Sequence, residues 1–134
     1  MGPFLQSSPR EGAKGRQVVG LFYAYFLPKF LPMQYYLYIL FSKQADKFYV
    51  GHSNNPWERL LQHNSNKIEK YTGKYTDWEI KAVFYVSENR GDADKLERYI
   101  KRQKSRNLLL KLVDKDFSPT GELAQLDRVP QVRD

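Results

Sequence analysis

Tyr35-Tyr36-Leu37-Tyr38-Ile39-Leu40-Phe41, then Lys47-Phe48-Tyr49-Val50-Gly51, then Pro56-Trp57-Glu58-Arg59-Leu60-Leu61-Gln62-His63-Asn64: the order of these three stretches decides the fold. Aromatic and β-branched residues dominate the first two, and Ser42-Lys43-Gln44-Ala45-Asp46 between them is a turn sequence, so together they predict an antiparallel hairpin. In the third, Asn55 can cap, Pro56 suits the first helical position and Glu58 has capping-box-like spacing, which predicts a helix starting there. Trp57, Leu60 and Leu61 are expected as its buried stripe.

Further along, Trp78 to Val86 predicts a third strand, with Ile80, Ala82 and Phe84 alternating against Lys81, Val83 and Tyr85. Asp92 is expected to cap a long helix whose apolar side is Leu96, Tyr99 and Ile100, and Leu108, Leu109, Leu112 and Val113 predict a final short helix. The fold class expected is α+β, a small three-stranded antiparallel sheet flanked by helices and spanning residues 34–113. Residues 1–33 read as an N-terminal arm outside the domain, and the polar stretch 114–134, with Pro119, Gly121 and Pro130, reads as a disordered or poorly packed tail. Within the arm, Val18 to Leu27 is apolar for ten residues, about half of what a membrane helix needs. Arg10, Lys14 and Arg16 ahead of it imitate a secretory leader, but Pro28 and Pro32 break the run, so a poorly packed arm, or a mis-assigned start with Met33 as the initiator, is expected in place of a signal peptide. A cytoplasmic monomer with no membrane partner is expected.

The chain has 134 residues, enough for one domain with its own core. Lys and Arg number 22 against 15 Asp and Glu, a net charge of +7 and a pI near 9.5, a balance that favours an anionic partner such as nucleic acid. The absence of cysteine excludes a disulfide framework, a thiol nucleophile and a thiolate zinc site. His52 and His63 are too few to form a metal cluster, so any metal is expected to be a hard ion on oxygen ligands.

On neighbouring antiparallel strands, opposed side chains share a face. If Tyr38 lies opposite Tyr49, Phe41 faces Asp46 and the loop is Ser42 to Ala45; a slip of one residue would part the two phenols. Ordinary aromatic packing is the competing explanation for both rings. Gly51 follows two residues after Tyr49 on the same face, and a strand glycine suggests that something approaches the backbone closely. Arg59 and His63, four apart, share one side of their helix. A guanidinium fork matches phosphate oxygens, although a solvated arginine paired with Glu58 or Glu69 would look the same in sequence. His63 either hydrogen-bonds a phosphate or an attacking water, or packs beside Asn64. Glu97 flanks its helix's apolar stripe and either turns toward the sheet or pairs with Lys101 at i, i+4.

This ordered set resembles the GIY-YIG nuclease family. Tyr36-Leu37-Tyr38 stands where the family has Gly-Ile-Tyr, and Tyr49-Val50-Gly51 is the second triplet. Arg59 and His63 match the helix arginine and a common histidine, and Glu97 in Lys95-Leu96-Glu97-Arg98-Tyr99-Ile100 matches the metal-binding glutamate. Tyr36 in the glycine position and His52 after the second triplet are departures. The resemblance implies a metal-dependent endonuclease that hydrolyses DNA phosphodiesters, RNA remaining open, with damaged, branched or single-stranded sites as candidate substrates. It implies one Mg²⁺ or Mn²⁺ on Glu97, a scissile phosphate close to Gly51, and a further asparagine for which Asn107 stands at the corresponding place. A free tyrosine has a pKa of about 10, so a tyrosine base needs cationic help from Arg59, protonated His63 or the metal. Tyr49 then acts as general base and Tyr38 as positioner, or the reverse. Lys95, Arg98, Lys101, Arg102, Lys104 and Arg106 are the expected nucleic-acid contacts, with Lys67, Lys70, Lys74 and Lys81 as additions. The alternative is a nucleic-acid-binding module on the same fold without turnover.

Overall fold

Tyr35–Ser42 (β1) and Lys47–Ser53 (β2) pair antiparallel across a four-residue turn in the computed structural model, which describes residues 33–65 and 74–130. The expected N-terminal arm up to residue 32, together with Lys67, Lys70 and residues 131–134, lies outside the described residues. Helix α1 (Pro56–His63) follows, then strand β3 (Trp78–Ser87), helices α2 (Arg90–Gln103) and α3 (Arg106–Val113), a 3-10 turn at Gly121–Leu123 and strand β4 (Asp127–Arg128). The sheet order is β2-β1-β3-β4. Gln34–Asp127 make one compact unit.

The local signals explain the helices. Asn55 accepts from the Glu58 backbone N–H at 3.1 Å with Pro56 in the first turn of α1, and Ser105 caps α3 by accepting from Leu108 N at 3.0 Å. The cap of α2 is Asn89, which accepts from Gly91 N at 2.7 Å. Asp92, expected as that cap, sits inside the first turn and accepts from the Ser87 hydroxyl at 2.7 Å.

Four strands are present where three were expected. The fourth has two residues, too few for any alternation to register in sequence. Just before it, Leu123 and Leu126 are each 6% exposed and enter the hydrophobic core. The stretch after Val113, read as a tail from its polar average, thus contributes two core side chains. The rest of that core is Leu37, Ile39 and Val50 from β1 and β2, Ala82, Phe84 and Val86 from β3, and Ala93, Leu96, Ile100 and Leu112 from α2 and α3.

The hairpin register differs from expectation by two residues. Tyr38 lies opposite Gly51 and Leu40 opposite Tyr49, and the turn is Lys43 to Asp46 rather than Ser42 to Ala45. An even shift keeps parity, so both phenols remain on one face. Asp46 takes the left-handed conformation at φ 55°, which an aspartate tolerates. Ser42, fully buried, accepts from Ala45 N at 3.1 Å and donates to Asp77 Oδ1 at 2.6 Å, while Gln44 N donates to Asp77 Oδ2 at 2.8 Å. These bonds tie the turn to the approach of β3. On β3 the alternation is interrupted: its register against β1 shifts by one residue at two places, leaving Lys81 and Val86 as the extra residues.

The Ser42 hydroxyl, and after it the Gln44 N–H, holds the Asp77 carboxyl below the usual carboxylate range. A depressed carboxylate adds stability that is present above its unfolded pKa and lost as pH falls through the folded value. Wild type should therefore melt above Asp77→Asn at neutral pH, with the gap closing as pH drops below that range. A gap that stays constant through the acid titration would show that the clamp does not depend on charge.

Candidate active site

Register alone sorts the site residues between the two faces of the sheet. Tyr36, Tyr38, Leu40 and Ser42 of β1 share a face with Tyr49, Gly51 and Ser53 of β2, whereas Leu37, Ile39 and Phe41 share the other with Phe48, Val50 and His52. Helix α1 supplies His63 to the first face, and α2 supplies Leu96, Glu97 and Ile100 to the second.

On the α1 face, Tyr38 is 1% exposed and His63 is 0% exposed, and the Tyr38 hydroxyl and His63 Nε2 lie 3.0 Å apart. Tyr49, half-buried, has its ring centroid 6.4 Å from Tyr38, 4.8 Å from His63 and 6.4 Å from Trp78. His63 occupies the inner position that the hydropathy of α1 assigned to Leu61, which is 71% exposed. Asn64 locks this arrangement by accepting from Trp78 N at 2.8 Å and donating to Trp78 O at 3.0 Å, so the end of α1 is tied to the start of β3.

Gly51 is where the two phenols meet. A Cβ there would lie 2.6 Å from the Tyr38 hydroxyl oxygen, 2.7 Å from its Cζ and 3.1 Å from Tyr49 Cε2. The close approach that the strand glycine suggested is made by the chain's own Tyr38 ring lying across the backbone.

Arg59 is half-buried on α1 and donates from Nη1 to Gln62 Oε1 at 3.0 Å. Tyr36, in the first triplet, packs edge-on to Trp57 and Tyr85 at centroid distances of 6.3 and 5.7 Å. Burial first, and then the neighbouring Tyr85, pushes the Tyr36 hydroxyl well above the ordinary tyrosine range, so this ring stays protonated at neutral pH. Burial, with Glu88 and Asp127 nearby, also raises Tyr85.

Glu97 lies on the opposite face from the two tyrosines, with its side chain 16% exposed. Its Oε1 meets His52 Nδ1 at 2.5 Å and its Oε2 accepts from Lys101 Nζ at 2.6 Å. The same Lys101 ammonium stands 5.3 Å from the centroid of the Tyr49 ring. Lys101 therefore reaches round the edge strand β2 and connects the carboxylate on one face to the phenol on the other. In the sequence Lys101 reads only as a phosphate contact or helix-pair partner. His52 reads there as a departure, although a residue three after Tyr49 on a strand must face the other way, toward α2.

Among the described residues, no group of three or more His, Cys, Asp or Glu side chains could hold a metal ion. One carboxylate nonetheless fits Mg²⁺, which commonly takes one or two protein carboxylates and fills its shell with water and substrate phosphate. One partner stands on each Glu97 oxygen, His52 on Oε1 and Lys101 on Oε2, and an ionised carboxylate has about four lone-pair sites, so such an ion would share these oxygens with the two side chains or take the place of one of them.

The expected nucleic-acid cations divide between two flanks of α2. Lys101 and Lys104 line a groove of about 600 Å³ together with Lys47, Tyr49 and Arg106. Lys95, Arg98 and Arg102 are exposed elsewhere on the helix, Arg98 paired with Asp94 at 3.0 Å. Lys74 is exposed, Lys81 pairs with Glu79 at 3.1 Å, and Asn107 is exposed in the first turn of α3. No helix among the described residues is long and apolar enough to cross a membrane.

A family model described as the GIY-YIG catalytic domain matches residues 34–109. No curated protein and no solved structure matches the chain.

Proposed function

This chain belongs to the GIY-YIG nuclease family, and from that premise we propose that it is a metal-dependent endonuclease acting on DNA phosphodiester bonds. The observation that carries the reading is the meeting of Tyr38, Tyr49 and His63 over Gly51, with Lys101 joining Tyr49 to Glu97.

Phosphodiester hydrolysis needs a base for water, positive charge facing the phosphoryl oxygens and a proton for the departing alkoxide. Of the two tyrosines, Tyr49 is the base: it lines the open groove, whereas Tyr38 is buried. The attacking water bonds to phosphorus and gives its proton to the Tyr49 phenolate, one ester P–O bond breaks, the departing alkoxide takes a proton from a second water to become an alcohol beside a phosphate monoester, and the hydroxide so formed removes the proton from Tyr49. Lys101 presents a positive charge to the ring that must carry the negative one. Tyr38, braced by His63, is a positioning residue that holds Tyr49 over Gly51. Arg59 contributes a permanent charge to the phosphoryl oxygens once it leaves Gln62. Glu97 is the residue that would hold Mg²⁺, which would supply Lewis-acid polarisation of the phosphate there.

A second reading, a DNA-binding module without turnover, is favoured by one observation: both Glu97 oxygens are already engaged. One experiment separates the two. Purified protein is incubated with plasmid, forked and single-stranded DNA, with Mg²⁺ or with chelator, beside Arg59→Ala and Glu97→Ala. Cleavage is expected only with Mg²⁺, and loss of the Arg59 charge should slow it by about 10²-fold. DNA binding with no cleavage establishes the module; cleavage that persists undiminished in both variants belongs to a contaminant.

A further inference from the structure

The groove between β2 and the α2–α3 corner is more specialised than a surface for duplex phosphates requires. It is lined by Lys47, Lys101, Lys104 and Arg106, of which Lys101 pairs with Glu97 and Arg106 with Asp46 from outside the lining, and by the apolar Phe48, Ile100 and Leu109, its floor. A duplex keeps its bases stacked inside and offers phosphates outside, so it satisfies the cations and leaves such a floor unmatched. An unpaired nucleotide satisfies both, with its base on the apolar floor and its flanking phosphates on the rim. The volume, about 600 Å³, is that of a small-ligand site.

Backbone conformation points to the same place. Among the described residues, two non-glycine positions have positive φ, Asp46 at 55° and Lys104 at 48°. Lys104 ends α2 in the left-handed conformation, where glycine is the cheaper residue, and its side chain lines the groove. Asp46 holds Arg106 at the rim, accepting from Nη2 at 2.8 Å through Oδ1 and from Nη1 at 3.0 Å through its carbonyl. Both left-handed positions thus serve cations of this one groove, and at Lys104 the strain is of the kind kept for binding.

We propose that this groove receives an unpaired DNA nucleotide beside the phosphate presented to Tyr49, so that the substrate is a single-stranded or flapped strand. This rests on the nuclease reading and supplies its substrate class. The test is fluorescence anisotropy in chelator with three end-labelled DNA probes of one length: a single strand, the same strand with abasic sites, and a blunt duplex.

The intact single strand should bind tightest, with the abasic strand weaker by about fivefold or more. Lys104→Gly should melt no lower than wild type, because glycine relieves the left-handed strain. It should nevertheless weaken single-strand binding and reduce the salt-dependence slope by about 0.7, with less effect on the duplex. An abasic strand that binds as well as the intact one, a duplex that binds tighter than the single strand, or a Lys104→Gly protein with unchanged single-strand affinity overturns the proposal. Mg²⁺-dependent cleavage with no single-strand preference sinks the groove alone; the preference without cleavage sinks the nuclease reading alone.

Discussion

Tyr49→Phe is expected to slow single-turnover DNA cleavage by about 10²–10⁴-fold, the span over which a positioned acid or base contributes. The change removes one oxygen and keeps the ring, so the neighbours at His63, Tyr38, Trp78 and Lys101 retain their packing partner. What disappears is the acceptor for the water proton. The pH profile is the sharper readout: the wild-type rate should climb with pH as the phenol ionises, and the residual rate of the variant should lose that climb. Tyr38→Phe serves as the comparison. It removes the hydroxyl end of a buried hydrogen bond to His63, worth about 1 kcal/mol of stability, and should leave the shape of the pH profile intact. A Tyr49→Phe enzyme that cleaves as fast as wild type would remove Tyr49 from the chemistry.

Gly51→Ala should damage fold and activity together. The new methyl would stand 2.6 Å from the Tyr38 hydroxyl oxygen and 2.7 Å from Cζ, well inside van der Waals contact. Tyr38 is almost wholly enclosed, with its hydroxyl against His63, so the ring has no vacant direction in which to yield. Overpacking of this kind costs about 1–3 kcal/mol, and a misplacement near 1 Å at a reacting centre costs about 10²-fold in rate. Thermal melts and cleavage assays read both effects. Repeating the substitution in a Tyr38→Ala background assigns the cause: if the collision is with Tyr38, Gly51→Ala should cost markedly less there. Equal melting of Gly51→Ala and wild type would refute the collision.

Much of the local structure was legible because its causes are local. Asn55 and Pro56 start α1 by satisfying and omitting backbone donors within one turn. The parity that keeps Tyr38 and Tyr49 on one face follows from strand alternation and survives a two-residue error in register. Hydropathy misassigned the inner face of α1, because it scores His63 as polar. Inside the fold the imidazole meets a phenol at 3.0 Å, and a satisfied polar ring packs as well as a leucine. The same averaging hid Leu123 and Leu126 within a polar stretch that also supplies core.

By itself the sequence determined the three long strands, the three helices, the Asn55 cap of the first helix, the family and the shared face of the two tyrosines, since alternation, capping and motif order act over neighbouring residues. Only the tertiary structure decided the hairpin register, the enclosure of Tyr38 by His63, and the engagement of Glu97 by His52 and Lys101 round the edge of β2. The His52–Glu97 contact joins residues 45 apart, and the Ser42–Asp77 tie beside the turn joins residues 35 apart. Partners at such separations are chosen by which faces of a sheet the helices cover, and that choice is made by the burial of the whole core at once.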